Sequence, residues 1–238
     1  MSHPAMIFAA GLGTRMGELT RDRPKPLLEV LGRPLIGRTL DLAREAGVPR
    51  VVVNTHAHAA MLAAHLAKTA PDALISHEPE LLETGGGLRR ALPLLAADTV
   101  FTLNTDVIWS KPNPLQLLLR AWNPARMDAL LCLIPLEATR THRGHGDFSR
   151  AENGSLERRG GAATAPFVYG GAQLIRAEAA AVFPEGHFSL NAIWDRLIEA
   201  GRLHGVVHPG PWIDVGRPEG LAEAETFLGR QDRVRQCS

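Results

Sequence analysis

The chain has 238 residues, of which 45% are hydrophobic and 21% are charged, a composition typical of one soluble globular domain with a sizeable core. Its 26 Lys and Arg residues nearly balance its 25 Asp and Glu residues, so the formal net charge is only +1. This balance argues against the broad basic surface by which proteins bind nucleic acids or membranes, and we expect neither as a partner.

The cysteines and the N-terminal residues bear on location. Cys132 and Cys237 are far apart in the sequence, and free thiols are typical of reducing compartments. No apolar stretch reaches the roughly 20 residues of a membrane span, and Arg15 interrupts the first apolar run before it reaches the length of a signal-peptide core. We therefore expect a cytoplasmic protein.

The first predicted element is a short apolar strand over residues 5–10, which runs into a glycine-bearing loop over residues 11–17. Gly11 and Gly13 let the backbone approach a ligand and let several N–H groups point the same way, which suits a phosphate. Arg15 adds a planar cation with a rigid fork of donors. The loop is therefore predicted to bind phosphate groups.

A lysine flanked by two prolines follows this loop. Pro24 and Pro26 restrict the backbone on either side of Lys25, so the ammonium group is carried on a stiff segment. Combined with the loop and Arg15, this lysine predicts a clamp for a triphosphate.

Helical and strand patterns then alternate along the chain. Helices are predicted at residues 34–46, 57–68, 88–95 and 114–122, and apolar or β-branched runs predict strands at residues 50–55, 73–76, 99–103 and 128–136. Such alternation is typical of α/β folds. We expect a doubly wound, mostly parallel, Rossmann-like sheet with helices on both faces and a ligand crevice at the carboxyl ends of its strands.

Three consecutive glycines, residues 85–87, precede the third helix. Thr84 is a natural N-cap for that helix. A simple cap does not need three glycines, because each one loses considerable conformational freedom on folding. The glycines suit a place where a flat nucleotide base lies against the backbone.

An acidic residue follows the fourth predicted strand. Asn104 and Asp106 come directly after residues 99–103, and the carboxyl end of a central strand lies at the crevice where open α/β sheets bind ligands. Asp106 is therefore a candidate functional carboxylate.

The second half of the chain contains a hairpin signal and a strand interrupted by glycines. Asn153-Gly154 separates predicted strands at residues 147–151 and 155–159. Gly170-Gly171 interrupts a strand at residues 166–175, which suggests close approach of a ligand to the backbone. The remaining predictions are helices at residues 177–183, 190–200 and 218–228 and a strand at residues 203–208.

Two motifs resemble the signatures of the sugar-1-phosphate nucleotidyltransferases. Residues 8–36, FAAGLGTRMGELTRDRPKPLLEVLGRPLI, resemble the family pattern LAAGxGTRLxPLTxxxPKPLxPVxxxPxI. Residues 211–216, PWIDVG, match a second acidic motif, W-x-D-(V/I)-G. The departures from the first pattern are conservative or lie outside the clamp; they are Phe8, Met16, Glu18 and Glu29.

The resemblance implies a function for each matched position. Arg15 and Lys25 are expected to be catalytic, and Asp106 and Asp214 are expected to hold Mg²⁺. Nucleotide-binding residues are expected at Ala10, Gly11, Gly13, Thr14, Glu83, Gly85, Gly86 and Asn104. Sugar-binding residues are expected at Asp147, Gly170 and Arg143. The resemblance also implies one domain over residues 1–238, with an insertion at about residues 137–171 that covers the sugar.

Within the family, the chain most resembles the enzymes that join UTP and N-acetylmuramic acid 1-phosphate into UDP-N-acetylmuramic acid during peptidoglycan recycling. The similar segments are LETGGG at residues 82–87 and HGDF at residues 145–148. Muramic acid carries a lactyl carboxylate, which should require cations in its site. The candidate cations lie in one basic loop, at Arg140, His142, Arg143 and His145. This loop could either bind the lactyl carboxylate or simply face water.

Other functions remain open at the level of sequence. Guanylyl transfer to mannose 1-phosphate and thymidylyl transfer to glucose 1-phosphate use the same chemistry, and some relatives are inactive regulatory subunits. A dehydrogenase fingerprint is not matched, because Met16 occupies the position of the third glycine. The expected state is a monomer or a small homo-oligomer.

Overall fold

The computed structural model describes residues 3–236, with residues 231–236 described by their backbone alone. Cys237 lies outside the described residues. The strands are β1 (Ala5–Phe8), β2 (Glu29–Val30), β3 (Arg33–Pro34), β4 (Val51–Thr55), β5 (Leu74–His77), β6 (Thr99–Asn104), β7 (Val107–Trp109), β8 (Ala129–Pro135), β9 (Phe148–Arg150), β10 (Leu156–Arg158), β11 (Phe167–Arg176), β12 (Leu203–Val207) and β13 (Trp212–Asp214). The helices are α1 (Leu35–Glu45), α2 (Ala59–Thr69), α3 (Glu83–Leu95), α4 (Pro114–Ala121), α5 (Ala177–Ala181), α6 (Leu190–Glu199) and α7 (Pro218–Gln236).

The main sheet confirms the predicted doubly wound, mostly parallel fold. Its long path runs β5-β4-β1-β6-β11, and β8 and β12 extend it beyond β11. The pairs β4·β5, β1·β4, β1·β6 and β8·β12 are parallel, whereas β11 runs antiparallel to both β6 and β8. The chain goes from β1 to one side and returns to β6 on the other, so the direction of winding changes between these two strands. Open α/β sheets bind ligands at such a switch point.

Alternate residues of the central strands supply two cores, one on each face of the sheet. Ile7 and Val53 belong to a cluster with α1, α2 and α4, whereas their neighbours Met6 and Val52 belong to a cluster with α3 and α6. All four side chains are fully buried. Successive side chains of a strand point to opposite faces, so a continuous apolar run is what a sheet covered on both faces requires.

The predicted Asn-Gly hairpin is confirmed as β9 and β10, whose antiparallel pairing includes Leu156 opposite Arg150. It joins the sheet where Phe167 of β11 pairs with Phe148. The predicted interruption of β11 is a shift in register between Tyr169 and Gln173. Gly171, with φ +91°, lies within this irregular part.

A short ribbon connects the C-terminal part of the chain to the switch point. Strand β13 pairs antiparallel with β7 and places Asp214 opposite Val107. The N–H of Val215 donates a hydrogen bond to the carbonyl of Asp106 over 2.8 Å. The two acidic motifs, more than 100 residues apart in sequence, are therefore neighbours in the fold.

An acidic residue before β8 is held by two arginines near the far edge of the sheet. Arg202 donates to both oxygens of Asp128, over 3.1 and 2.9 Å, and Arg176 Nε lies 2.9 Å from Asp128 Oδ1. The hydrogen bonds from Arg202 hold the pKa of Asp128 below its ordinary value. Within residues 3–236, no helix combines the length and hydropathy needed to span a bilayer.

Candidate active site

The loop after β1 has the open geometry that its glycines predict. Gly13 adopts the left-handed conformation, with φ 66°, and a Cβ on it would lie 3.0 Å from the Thr20 side chain. The Thr20 hydroxyl donates to the Gly13 carbonyl over 2.9 Å and so fixes the turn. A Cβ on Gly11 would meet nothing within 4 Å, because this residue lies at an open cavity.

A buried hydrogen-bond chain that the sequence analysis missed supports the loop from behind. The Ala9 N–H donates to Asn54 Oδ1 over 2.7 Å, and Asn54 Nδ2 donates to Glu78 Oε1 over 2.7 Å. Glu78, which is fully buried, accepts a further hydrogen bond from the Leu82 N–H at 3.1 Å. These contacts connect β1, β4 and the start of α3, so they fix the position of the loop relative to the helix.

Lys25 and Asp106 form an ion pair at the switch point. Lys25 Nζ lies 2.7 Å from Asp106 Oδ2, and the two side chains are 10% and 27% exposed. Lys25 begins a short 3-10 turn that is preceded by the extended Pro24. The prolines therefore deliver a nearly buried ammonium group to the carboxylate that follows β6.

Asp214 is held by several donors on the other side of the same region. Its Oδ1 accepts a hydrogen bond from the Gly216 N–H at 2.6 Å, and His142 Nδ1 lies 3.5 Å from its Oδ2. Burial acts to raise the pKa of Asp214, but the contacts with His142 and Gly216 outweigh burial and hold this pKa below its ordinary value. The charge of Lys25 acts in the same direction.

Two adjoining cavities contain most of the predicted residues. The first, of about 520 Å³, is lined by the loop and has Ala10, Gly11, Gly13, Thr14, Arg15, Lys25, Glu83, Asn104 and Asp106 in its wall. The second, of about 330 Å³, includes Asp147, Gly170 and Asp214. Both cavities share the residues Arg15, Thr84, Asn104, Asp106 and Ser189. Among the described residues, the Arg15 side chain has no hydrogen-bond or ion-pair partner, so its guanidinium is available to a ligand.

The two aspartates suit a divalent cation that prefers oxygen. Asp106 and Asp214 line the same cavity and are each about a quarter exposed. Among residues 3–236, no three His, Cys, Asp or Glu side chains gather into a complete metal cage. Mg²⁺ commonly uses one or two carboxylates and completes its shell with phosphate oxygens and water. The pair therefore fits a metal that binds together with a nucleotide.

The three glycines at residues 85–87 have packing roles. A Cβ on Gly85 would lie 2.5 Å from the ring of Phe188, and one on Gly86 would lie 2.0 Å from a carbonyl oxygen. Gly85 and Gly86 are absent from the walls of both cavities, so their role in binding the base receives no support from the geometry. The helix begins earlier than predicted, at Glu83.

The prediction that Thr84 caps this helix is wrong. The residue preceding the helix is Leu82, and no side chain caps it. Thr84 Oγ1 instead accepts the Leu190 N–H at 3.1 Å, which connects α3 to the start of α6.

The basic loop lies mostly outside the cavities. Arg140 and Arg143 form ion pairs with Glu223 and Glu219 of α7, at 2.9 and 3.2 Å. Arg143 is 68% exposed and lines neither cavity, so the structure does not place it where a sugar could reach it. His142, by contrast, lies in the wall of the second cavity. Sequence position alone could not distinguish these side chains, because the loop's path decides which one points inwards.

The other two predicted sugar-binding residues lie at the second cavity. Asp147 Oδ2 accepts the Tyr169 N–H at 2.8 Å, and the Gly170 carbonyl accepts the indole N–H of Trp212 at 2.8 Å. A Cβ on Gly170 would lie 2.6 Å from the ring of Trp109, which explains the glycine.

A family model for the MobA-like NTP transferase domain matches residues 5–184. The chain belongs to this family. The match covers β1, the glycine-bearing loop of residues 11–17, Lys25 and Asp106 and extends past the hairpin of β9 and β10. The predicted nucleotidyltransferase identity is therefore confirmed.

Individual relatives match over almost the whole chain. The N-acetylmuramate alpha-1-phosphate uridylyltransferase of Caulobacter vibrioides is 40% identical over 94% of this chain and 96% of its own. The protein of the same name from Neisseria meningitidis serogroup B is 32% identical, over 94% of this chain and 98% of its own. The crystal structure of HddC from Yersinia pseudotuberculosis complexed with GMP-PN superposes with a TM-score of 0.77. It is 20% identical in sequence and covers 95% of this chain and 99% of HddC, so it supports the shared fold.

Proposed function

We propose that this protein transfers the uridylyl group of UTP to N-acetylmuramic acid 1-phosphate and releases pyrophosphate. The product is UDP-N-acetylmuramic acid, and the proposed setting is peptidoglycan recycling in the cytoplasm. The two uridylyltransferase relatives support the choice of base and sugar. We further propose a single catalytic domain, with residues 137–171 as its sugar-side insertion, that acts as a monomer or a small homo-oligomer.

One observation carries the proposal: the cavity lined by the phosphate loop joins a second cavity, and Arg15 and Asp106 belong to both walls. Nucleotidyl transfer needs a triphosphate and an acceptor phosphate to meet at one phosphorus atom. Two adjoining cavities with a shared charged wall provide that arrangement. Holding both reactants in line supplies much of the rate enhancement.

The reaction joins two anions, so positive charge and positioning matter more than proton transfer. In this proposal, the N–H groups of the loop and the unpaired Arg15 bind the triphosphate. Lys25 neutralises charge near the α-phosphate and the incoming sugar phosphate. Its partner Asp106 keeps the ammonium at the junction of the cavities before substrates bind.

Asp106 and Asp214 are proposed to hold Mg²⁺. When bound, the cation would neutralise phosphate charge and favour the departure of pyrophosphate. Asp214, whose contacts with His142 and Gly216 hold its pKa below its ordinary value in spite of burial, is an anionic oxygen ligand at neutral pH. On the sugar side, the proposed contacts are Asp147 and the backbone at Gly170.

The proposal is tested by pyrophosphate release with Mg²⁺. UTP, dTTP, GTP and CTP are crossed with the 1-phosphates of N-acetylmuramate, N-acetylglucosamine, glucose and mannose. The expected result is a dominant signal for UTP with N-acetylmuramate 1-phosphate. Omission of the metal and addition of EDTA should abolish this signal.

Other outcomes would replace the proposal in defined ways. Dominant release with GTP and mannose 1-phosphate, or with dTTP and glucose 1-phosphate, would keep the chemistry and overturn the substrates. Nucleotide binding without release for any pair would indicate a regulatory subunit instead.

A further inference from the structure

Arg158 on β10 is an arginine that the sequence analysis did not select. Its guanidinium carbon lies 4.9 Å from the ring centre of Phe148 and 5.5 Å from that of Trp194. Its Nε donates to Asp195 Oδ1 over 2.7 Å, and Nη2 donates to the Asn191 carbonyl over 3.2 Å. Rings and hydrogen bonds together hold the guanidinium in one orientation.

This fixed cation still has donors to offer. A guanidinium has five N–H donors, of which two are used in the contacts with Asp195 and Asn191. Among the described residues, the other three have no hydrogen-bond partner. Arg158 lines the second cavity, whereas Asp195 does not. The counter-ion therefore lies away from the cavity wall, and it orients the guanidinium without occupying the cavity.

The arrangement separates Arg158 from the other arginines. Arg140 and Arg143 are paired with carboxylates of α7 and lie outside the cavity. Arg15 lines both cavities and so belongs to the junction where the phosphates meet. Among the described residues, Arg158 is the only arginine that lines the second cavity without also lining the first.

We propose that Arg158 binds the lactyl carboxylate of the muramic acid substrate and so determines specificity for this sugar. This inference rests on the proposed function. Guanidinium and carboxylate are planar and match each other in paired hydrogen bonds. Preorganisation over two rings reduces the side-chain entropy lost on binding. The other anion that could reach this cation is the phosphate of the sugar 1-phosphate, and the experiment separates the two.

The test is a two-by-two comparison of kcat/KM with UTP. The wild-type protein and Arg158→Met are assayed with N-acetylmuramate 1-phosphate and with its analogue in which the lactyl carboxylate is an amide. We expect either change alone to lower kcat/KM by about 10- to 100-fold, mainly through KM. We expect the variant with the amide to show no further loss beyond about threefold, because the two changes remove one interaction.

A multiplicative loss in the doubly changed pair would overturn the inference, since it would show that Arg158 and the carboxylate act independently. Such a multiplicative loss means that Arg158→Met lowers kcat/KM by the same factor with the acid and with the amide, which is the result expected if its ligand is the phosphate instead. Arg196→Met is the matched control, because Arg196 also stacks on a ring, that of Phe183, but lines neither cavity.

Arg143→Gln tests the competing arginine of the basic loop, and a selective loss in that variant alone would transfer the role to it. The melting temperature of each Arg158 variant shows whether it is folded. Arg158→Lys, which keeps the positive charge without the planar fork, separates the effect of charge from that of paired hydrogen bonds. Absence of turnover by the wild-type protein with both UTP and the muramate substrate would refute the proposed function. Turnover without coupling would refute the role of Arg158 alone.

Discussion

Lys25→Ala removes the ammonium group at the junction of the two cavities. In the folded protein this group lies 2.7 Å from Asp106 and is 10% exposed, and its charge also lowers the pKa of Asp214. The substitution removes the cation that interacts with both Asp106 and Asp214, the two carboxylates at the second cavity. A smaller side chain at this position keeps the backbone conformation that Pro24 and Pro26 impose.

The expected loss is large in rate and moderate in stability. A cationic contact that strengthens in the transition state contributes about 2.7–4 kcal/mol, or roughly 10²–10³ in kcat. A hydrogen bond to a charged group contributes about 1.5–3 kcal/mol to folding. Because Asp106 is 27% exposed, water can solvate it once Lys25 is gone, and the loss of stability should lie near the lower figure.

The assay is steady-state pyrophosphate release with saturating UTP and Mg²⁺, together with urea unfolding. Lys68→Ala is the control, since Lys68 is an exposed lysine in the last turn of α2. We expect kcat of Lys25→Ala to fall at least 100-fold while Lys68→Ala stays within twofold of wild type. Near-normal turnover in a folded Lys25→Ala protein would refute the assignment of this lysine to the reaction.

Four further substitutions address packing and pH. Asn54→Leu removes both amide hydrogen bonds behind the loop and leaves a buried carboxylate short of a donor, so the free energy of unfolding in urea should fall by about 1–3 kcal/mol. Gly86→Ala forces a Cβ against a backbone carbonyl and should lose about 1–3 kcal/mol. Gly37→Ala, in an uncrowded helical position, should gain up to about 1 kcal/mol in the same measurement. Equal effects of the two glycine substitutions would contradict the packing explanation. Asp128 has a lowered pKa, so its stabilisation is present above its ordinary value of 3.8 and is lost as pH falls below it. Asp128→Asn should therefore flatten the dependence of unfolding free energy on pH below about 3.8, and an unchanged slope would exclude this contribution.

Features encoded by contiguous residues were predictable. The turn at Gly13, the stiff segment around Lys25 and the hairpin at Asn153-Gly154 depend on local backbone preferences, which act wherever the rest of the chain lies. The position of Asp106 was also predictable, since the residue after a central parallel strand lies at the ligand-binding edge. The comparisons confirm the family and the fold that these local patterns indicated.

Other features depend on which segments pack together. The glycines at residues 85–87 suggested a surface for a base, but the space of their missing side chains is taken by the Phe188 ring at Gly85 and by the Gly186 carbonyl at Gly86, about 100 residues later in the sequence. Glu78 is fully buried and accepts a hydrogen bond from Asn54, which lies 24 residues earlier in the sequence. No local pattern in the sequence identifies such partners.

The sequence by itself determined which charged groups the first loops carry, because glycines and prolines restrict the backbone around Arg15 and Lys25 wherever these loops lie in the fold. Only the tertiary structure decided which charges line the two cavities. Arg143 and Arg158 are only 15 positions apart in the sequence, but the path of the chain turns one towards α7 and places the other in the cavity wall. Long-range packing sets that path, and it brings Asp214 beside Asp106 for the same reason.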